Sequence, residues 1–208
     1  MSPTALIDYG MGNLMSVSKA LAASGGEVRI VRTPEEAHDA ERLILPGVGN
    51  FGEGMEHLRN AGFVPFLREW AAADRPLLGI CLGYQMMFDS SEEAPGVPGL
   101  GLLPGRVLRF PRGKEKVPHI GWNSVTVDPA WAHLFFGSEP RGELWFYFVH
   151  SYYVRPDDPA CTAAECSYIL PFAAAAARGR LLGVQFHPEK SQSAGLRLIR
   201  NFLQNTKL

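Results

Sequence analysis

The first half of the chain alternates short apolar runs with helical patterns, and this order constrains the fold more than any other feature. The apolar runs are 5–7, 28–31, 42–45 and 76–80, and the helical patterns cover 13–24 and 52–73. The apolar runs have the length of buried strands. Strands that alternate with helices form a parallel sheet that is covered on both faces. The order therefore predicts an α/β fold with a doubly wound, mostly parallel sheet, whose sites lie at the carboxyl ends of the strands.

The second half of the chain is rich in strand patterns. Candidate strands are 107–110, 124–127, 144–149 and 173–177. A C-terminal helix follows, whose apolar face consists of Leu196, Ile199, Phe202 and Leu203. The chain has 208 residues, of which 46% are hydrophobic, so it can bury a substantial core without disulfides. Because no linker or repeat interrupts it, we predict a single domain over residues 1–208.

Charge and cysteine content exclude several classes of partner. Twenty basic residues balance 21 acidic ones, so no overall charge favours a nucleic acid or a membrane surface. Three cysteines, an odd number, indicate a reducing compartment, and no cluster of Cys and His has the spacing of a metal site. The start of the chain lacks the pattern of a signal peptide, and no apolar run has membrane-spanning length. We therefore expect a cytoplasmic protein with no metal and no cofactor.

Cys81 lies at a predicted turn between the buried strand at 76–80 and a helix. Gly79 and Gly83 flank it, as in a nucleophile elbow in which cysteine replaces serine. The start of the helix beyond Cys81 favours a thiolate, and its backbone N–H groups can stabilise an oxyanion. Among these donors, the N–H of Leu82 is the first candidate for an oxyanion hole.

A His-Pro-Glu segment about a hundred residues later can supply the partners that a nucleophilic thiol needs. Pro188 favours an extended conformation at His187. Side chains two positions apart in an extended chain point the same way, so His187 and Glu189 can both face Cys81. A base beside the thiol and a third group that orients the base complete a catalytic triad.

These motifs together resemble the triad, or class I, glutamine amidotransferases, which hydrolyse the side-chain amide of glutamine and pass ammonia to a second site. Further segments narrow the resemblance to the glutaminase subunits of imidazole glycerol phosphate synthases, enzymes of histidine biosynthesis. These segments are Asp8 to Leu14, Pro46 to Gly49, Pro118 to Asn123, His150 to Tyr152 and His187 to Ser191. The resemblance covers essentially the whole chain, and it implies a fold of the flavodoxin-like type.

The resemblance implies amide hydrolysis through a thioester on Cys81, with His187 as the proton shuttle and Glu189 as its orienting carboxylate. The loop at 46–49 is the second candidate for the oxyanion hole, with Val48 and Gly49 as its residues, since the glycines on both sides of Val48 allow a peptide there to turn its N–H into the site. The resemblance implies that this turn is coupled to the substrate of the partner.

Glutamine recognition is predicted from spacing and from the resemblance. Gln85 lies four residues beyond Cys81, on the same face of the predicted helix, where its amide can hold the substrate. The resemblance also places Gly49, Ser151 and Tyr152 around the ligand. We interpret His150 as a non-catalytic histidine, and the pair Glu92 and Glu93 as a solvated loop.

A second chain is implied by the chemistry as well as by the resemblance. Ammonia released into neutral water is mostly protonated, so a synthetic enzyme benefits from a shielded route, and the sequence contains no phosphate-binding loop for an acceptor. The resemblance implies a heterodimer with a cyclase of (β/α)8-barrel type. Our interface candidates are Gly12, Asn13, Trp122, Asn123 and Lys190.

Two alternatives stay open. One is a related triad enzyme with another role, such as the glutaminase of pyridoxal phosphate synthase or a γ-glutamyl hydrolase. The other is a catalytically silent binding module that retains the fold.

Overall fold

The computed structural model describes residues 3–113 and 115–204. The strands are β1 (Thr4–Ile7), β2 (Val28–Val31), β3 (Arg42–Leu45), β4 (Leu77–Ile80), β5 (Ser90–Ser91), β6 (Gly105–Arg109), β7 (His119–Val127), β8 (Leu144–His150), β9 (Tyr152–Pro156), β10 (Thr162–Ser167), β11 (Pro171–Arg178) and β12 (Leu181–Val184). The helices are α1 (Leu14–Ala23), α2 (Phe51–Asn60), α3 (Phe63–Ala72), α4 (Leu82–Met86), α5 (Ala132–Phe136) and α6 (Gln192–Gln204). The predicted domain of 1–208 also includes residues 1, 2, 114 and 205–208, which lie outside the described residues.

Within the described ranges, one large sheet has the strand order β2-β1-β3-β4-β12-β11-β10-β7-β8. Neighbours from β2 to β12 run parallel, and neighbours from β12 to β8 run antiparallel. The prediction of an α/β fold is confirmed. From the β-rich second half of the chain, β7, β8, β10, β11 and β12 join this sheet, which is therefore mixed, and its parallel part extends from β2 to β12.

A smaller sheet of β5, β6 and β9 lies beside the large one. Strand β9 follows directly after β8 and pairs antiparallel with β6. The turn between β8 and β9, at His150 to Tyr152, is therefore held between the two sheets.

The core lies on both faces of the large sheet, because alternate side chains of its buried strands point to opposite sides. On one face Leu6, Ile44 and Leu78 pack with apolar residues of α1, α5 and α6. On the other face the neighbouring strand residues pack with α2, α3 and α4. The central strands thus carry continuous apolar runs, as expected for strands covered on both sides.

Among the predicted elements, a helical stretch and a strand have clearly different bounds in the structure, and β9 and α5 were not predicted. The helical stretch predicted at 52–73 is two helices, α2 and α3, because Gly62 adopts a φ of 77° between them. Strand β7 begins five residues before the predicted 124–127 and includes Trp122 and Asn123. Among the described residues, no helix has the length and apolar character needed to cross a membrane.

Candidate active site

Cys81 lies at the carboxyl end of β4, in the middle of the large sheet. Its backbone has a φ of 56° and a ψ of −108°, and its N–H donates to the carbonyl of Val184 at 2.8 Å. A residue with a side chain rarely adopts positive φ, and such a conformation costs on the order of 1–3 kcal/mol. This backbone conformation directs the thiol out of the sheet at the start of α4.

The flanking glycines do not themselves take the sharp backbone bend of the elbow. Neither Gly79 nor Gly83 has positive φ, and the bend falls on Cys81 itself. A Cβ on Gly83 would lie 1.9 Å from the carbonyl oxygen of Leu45, so only glycine allows α4 to pack this closely on β3. The glycines therefore allow close packing around the elbow, and the surrounding structure holds Cys81 in its strained conformation.

His187 and Glu189 follow β12, the parallel neighbour of β4. The imidazole Nδ1 lies 2.8 Å from Glu189 Oε1, and the two side chains are 3% and 1% exposed. The N–H of His187 donates to the carbonyl of Tyr147 at 2.9 Å. Because a carboxylate can only accept, Nδ1 carries the hydrogen and Nε2 is the atom left for chemistry. Nε2 has no hydrogen-bond partner among the described residues.

The electrostatics of this pair favour a protonated imidazole. Burial on its own would lower the pKa of His187, but the interactions with Cys81 and Glu189 outweigh it and raise that pKa to about 10. An imidazole of raised pKa accepts a proton from a thiol and holds it until a leaving group takes it.

A cavity of about 300 Å³ opens in front of Cys81 and His187. Its lining includes the following predicted site residues: Val48, Gly49, Cys81, Leu82, Gln85, Ser151, Tyr152 and His187. The structure therefore brings the predicted nucleophile, base, oxyanion-hole and glutamine-binding residues to one cavity. Glu189 lies behind His187 and does not line it.

Gln85 is buried, and its amide already has two protein partners. Its Nε2 donates to the carbonyl of Tyr152 at 3.1 Å and to Gln185 Oε1 at 3.0 Å. These bonds use both N–H groups, so only Oε1 of Gln85 is left to accept a hydrogen bond from a ligand.

Two polar residues near Cys81 were not predicted, one that lines the cavity and one buried beside the sulfur. Glu93, interpreted from the sequence as part of a solvated loop, lines the cavity and accepts from the N–H of Phe51, at the start of α2, at 2.8 Å. The interpretation was wrong for Glu93, whereas Glu92 is exposed as expected. Gln185 is fully buried, and its Nε2 lies 3.9 Å from the sulfur of Cys81. The only sequence signal for Gln185 was its position one residue beyond an apolar strand.

The predicted oxyanion donor of Leu82 has a protein partner in this structure. Its N–H donates to the carbonyl of Gly47 at 3.4 Å, which is a long bond. Val48, the next residue of that loop, is 41% exposed. The loop at 46–49 thus presents a carbonyl oxygen to the donor that an oxyanion would use.

His150 belongs to a buried pair with His119. The two rings are joined at 3.1 Å, and His150 Nδ1 lies 2.8 Å from the carbonyl of Tyr152. Burial lowers the pKa of His119 to about 4 and that of His150 to about 3. Both rings are neutral at physiological pH, so they hold the turn after β8 through hydrogen bonds.

Three of the interface candidates lie on elements that contact one another. Trp122 is 44% exposed on β7 and contacts the ring of Tyr147 on the edge strand β8. Lys190 is exposed, with its Nζ 5.8 Å from the centre of the same tyrosine ring. Asn13 caps α1 through a bond from the N–H of Ser16, and α1 contacts the turn that carries Lys190.

Asn123 and Gly12 have more constrained positions than the exposed candidates. Asn123 donates to the carbonyl of Ser167 at 3.0 Å and lies 3.4 Å from His119 Nε2, so its amide is partly used within the chain. A Cβ on Gly12 would lie 3.2 Å from Pro46, at the loop beside the cavity. In the part of the chain that the structure describes, no group of three or more His, Cys, Asp or Glu is placed to hold a metal ion.

Comparisons with known proteins show the family of this chain. The family model described as glutamine amidotransferase class-I matches residues 5–206. The chain belongs to the class-I glutamine amidotransferase family, as its motifs predicted.

Within the family, the similarity is to the imidazole glycerol phosphate synthase subunit HisH. The HisH of Methylococcus capsulatus is 50% identical over 98% of this chain and 97% of its own length. The HisH of Moorella thermoacetica is also 50% identical, over 97% of this chain and 94% of its own length. The resemblance to this subunit, predicted from the sequence, is confirmed.

Solved structures with lower sequence identity share the fold. PurLQS from Thermotoga maritima superposes with a TM-score of 0.77 at 19% identity, with 98% of each chain covered. A structure described as glutamine amidotransferase gives a TM-score of 0.75 at 22% identity, with 96% of this chain and 97% of that chain covered.

Proposed function

We propose that this chain is the glutaminase subunit of an imidazole glycerol phosphate synthase in histidine biosynthesis. It hydrolyses glutamine to glutamate and ammonia through a thioester on Cys81 and delivers the ammonia to a partner cyclase. The observation that carries the proposal is the buried pair of His187 and Glu189, whose imidazole leaves Nε2 without a partner at the cavity that Cys81 lines.

The reaction follows from the roles of these three residues. The sulfur of Cys81 attacks the carboxamide carbon, and the thiol proton passes to Nε2 of His187. His187 returns this proton to the amide nitrogen as the C–N bond breaks, so that ammonia leaves and a thioester remains. Water then attacks the thioester while His187 takes one of its protons, and glutamate departs as the thiol re-forms. Glu189 holds the ring and stabilises its positive charge in both halves.

Substrate glutamine enters with its carboxamide towards Cys81 and its α-carbon end towards the mouth of the cavity. Oxygen atoms of Gln85 and Glu93 are available to accept hydrogen bonds from the α-ammonium group, because the N–H groups of Gln85 are used within the protein. The backbone at Gly49, Ser151 and Tyr152 surrounds the rest of the ligand.

The loop at 46–49 keeps the resting enzyme slow. While the carbonyl of Gly47 faces the N–H of Leu82, the oxyanion of the tetrahedral intermediate meets an acceptor where it needs donors. Turning the peptide between Gly47 and Val48 supplies the N–H of Val48 and frees the N–H of Leu82. One such donor is worth roughly a hundred- to a thousandfold in rate.

The partner is a cyclase of (β/α)8-barrel type that docks on the side formed by the start of α1, the outer face of β7 and β8, and Lys190. Exposed Ile120, Trp122 and Trp145 give this side the apolar and aromatic character of an interface core. Val149, on the same two-stranded face, also lines the cavity in front of Cys81, so the proposed interface adjoins the site of ammonia release. A cytoplasmic location stays a prediction.

Labelling with an electrophilic glutamine analogue tests the nucleophile. We expect modification of Cys81 alone, located by mass spectrometry, and no modification of the chain that carries Cys81→Ala. The two other cysteines, Cys161 and Cys166, are buried and serve as internal controls. Absence of labelling in the activated complex would leave the chain as a binding module that retains the fold.

Activation by a partner tests the wider role. Glutaminase activity of the isolated chain should be low and should rise strongly when the cyclase and its ribulosyl phosphate substrate are added. Activation by a pyridoxal phosphate synthase subunit, or full activity of the isolated chain towards γ-glutamyl peptides, would instead identify one of the related triad enzymes.

A further inference from the structure

Gln185 occupies the position next to the nucleophile in the central sheet. Strands β4 and β12 are parallel, with Val184 beside Ile80, so the following residues, Gln185 and Cys81, are also neighbours. Gln185 is 0% exposed, and its backbone N–H donates to the carbonyl of Ala174 at 2.8 Å. A long polar side chain is thus fixed at a fully buried position beside the thiol.

Three amide-to-acceptor contacts connect the cavity wall to the sulfur. Gln85 Nε2 donates to the carbonyl of Tyr152 at 3.1 Å and to Gln185 Oε1 at 3.0 Å. Gln185 Nε2 then faces Cys81 Sγ at 3.9 Å. The backbone carbonyl can only accept, which fixes Nε2 of Gln85 as the donor and therefore Oε1 of Gln185 as the acceptor. The remaining end of Gln185, its NH₂ group, must point at the sulfur.

We propose that Gln185 is a positioning residue of the glutaminase reaction: its amide donates an N–H to the sulfur of Cys81, which holds the nucleophile in place and stabilises it as a thiolate. The inference rests on the proposed function, because it takes Cys81 as the nucleophile. The proposal adds a residue outside the triad to the reaction. It also assigns a second role to Gln85, which orients Gln185.

The selectivity for the thiolate follows from hydrogen-bond energetics. A thiol is a weak acceptor, whereas hydrogen bonds to ionised groups are roughly twice as strong as those between neutral groups. A buried amide that only filled space would leave its NH₂ group without a hydrogen-bond acceptor, which is unfavourable. The donor of Gln185 is therefore best satisfied when the sulfur is charged.

Several titratable groups face Cys81 from the elements packed around it. His187 comes from the end of β12, with Glu189 behind it, and Tyr9 comes from the loop after β1, where the charge of Cys81 adds to burial in raising the pKa of its hydroxyl. Glu93 and His150 line the same cavity. A substitution at Gln185 leaves all of these groups in place, so the effect of Gln185 on Cys81 can be measured separately from theirs.

The test uses Gln185→Met, which keeps the volume but removes both polar ends, and Gln185→Glu, which keeps an acceptor for Gln85 but removes the donor. Gln204→Met, on the exposed end of α6, is the matched control. For each full-length chain, the rate of Cys81 alkylation by iodoacetamide is measured by mass spectrometry from pH 5 to 10. Circular dichroism verifies folding.

We expect the pH midpoint of alkylation to rise by about one unit in Gln185→Met, as for the loss of one charge-assisted hydrogen bond. The rise should be larger in Gln185→Glu, which places a carboxylate beside the sulfur, and absent in Gln204→Met. In the glutaminase assay with the partner, kcat should fall about tenfold, with KM changed less.

A midpoint that stays unchanged in both folded variants would overturn the inference. Unfolding of both variants would overturn it as well, because Gln185 would then be a structural residue. A wild-type Cys81 that reacts with neither iodoacetamide nor the glutamine analogue would instead refute the proposed function, so the two failures can be told apart.

Discussion

Replacing Glu189 with glutamine removes the negative charge that faces the imidazole of His187 while keeping an oxygen that can accept from Nδ1. The two side chains are almost fully buried and 2.8 Å apart, so little solvent screens them. With their charge centres about 4 Å apart and an effective dielectric constant of about 20, the pair interacts by roughly 4 kcal/mol, equivalent to about three pKa units. The pKa of His187, which Cys81 and Glu189 together raise to about 10, should therefore fall clearly when the carboxylate is removed.

The assay is a titration of ¹³C-labelled histidine followed by NMR, with His187→Asn to assign the signal. His119 and His150 provide an internal reference, because burial lowers both pKa values and their rings should not titrate above pH 5. A pKa of His187 that stays above 9 in Glu189→Gln would refute the reasoning. It would mean that the thiolate of Cys81, rather than the carboxylate, keeps the ring protonated.

The same charge pair makes stability depend on pH. A folded-state pKa raised above the unfolded value of about 6.5 contributes stability that is fully present below pH 6.5. That contribution is lost as pH rises through the folded-state pKa of His187. The measurement is urea unfolding of two chains that both carry Cys81→Ala, which removes the thiol. The chain that retains Glu189 should lose stability as pH rises, and the chain that also carries Glu189→Gln should lose much less. Equal pH dependence in the two chains would contradict the assignment.

Three further substitutions test other parts of the molecule. Glu93→Gln keeps an acceptor for the amide at the start of α2 but removes a charge from the cavity, so KM for glutamine should rise about 10- to 100-fold with kcat nearly unchanged. A similar fall in kcat would contradict a binding role. Gly83→Ala forces a Cβ to within 1.9 Å of a backbone oxygen and should lower the free energy of unfolding by about 3 kcal/mol or more, measured with urea. An unchanged unfolding midpoint would show that α4 can move. Trp122→Ala should weaken binding of the cyclase about 30-fold in calorimetry, whereas Ile30→Ala, equally exposed at the opposite edge of the sheet, should not. Equal effects would argue against the proposed docking side.

The triad motifs could be predicted because their geometry is local. A cysteine between a buried strand and a helix, and a His-Pro-Glu segment in extended conformation, each restrict a few backbone angles that the residue types reveal. Even there, the sequence did not show that Cys81 itself takes the positive φ. This conformation depends on tertiary packing around the elbow, such as the close contact of Gly83 with β3.

Gln185 and Glu93 could not be predicted because their roles depend on register and packing. Gln185 is beside Cys81 only once β12 pairs with β4 in the observed register. Glu93 reaches the cavity because the loop after β5 packs on the start of α2. Patterns of apolar residues indicate which segments are strands, but the order of strands in a mixed sheet arises from long-range contacts.

The strand order also determines when the chain can become an enzyme during its own synthesis. Cys81 and Gln185 are 104 residues apart in sequence, yet β12 fits between β4 and β11 in the middle of the sheet. When β4 to β11 have left the ribosome but β12 has not, the proposed nucleophile still lacks its proposed base, the carboxylate that orients this base, and the neighbouring amide. Pairing across such a separation forms late, because the entropy of loop closure opposes it. A nascent chain therefore exposes a thiol without glutaminase chemistry, and hydrolysis of glutamine begins only when the sheet is complete.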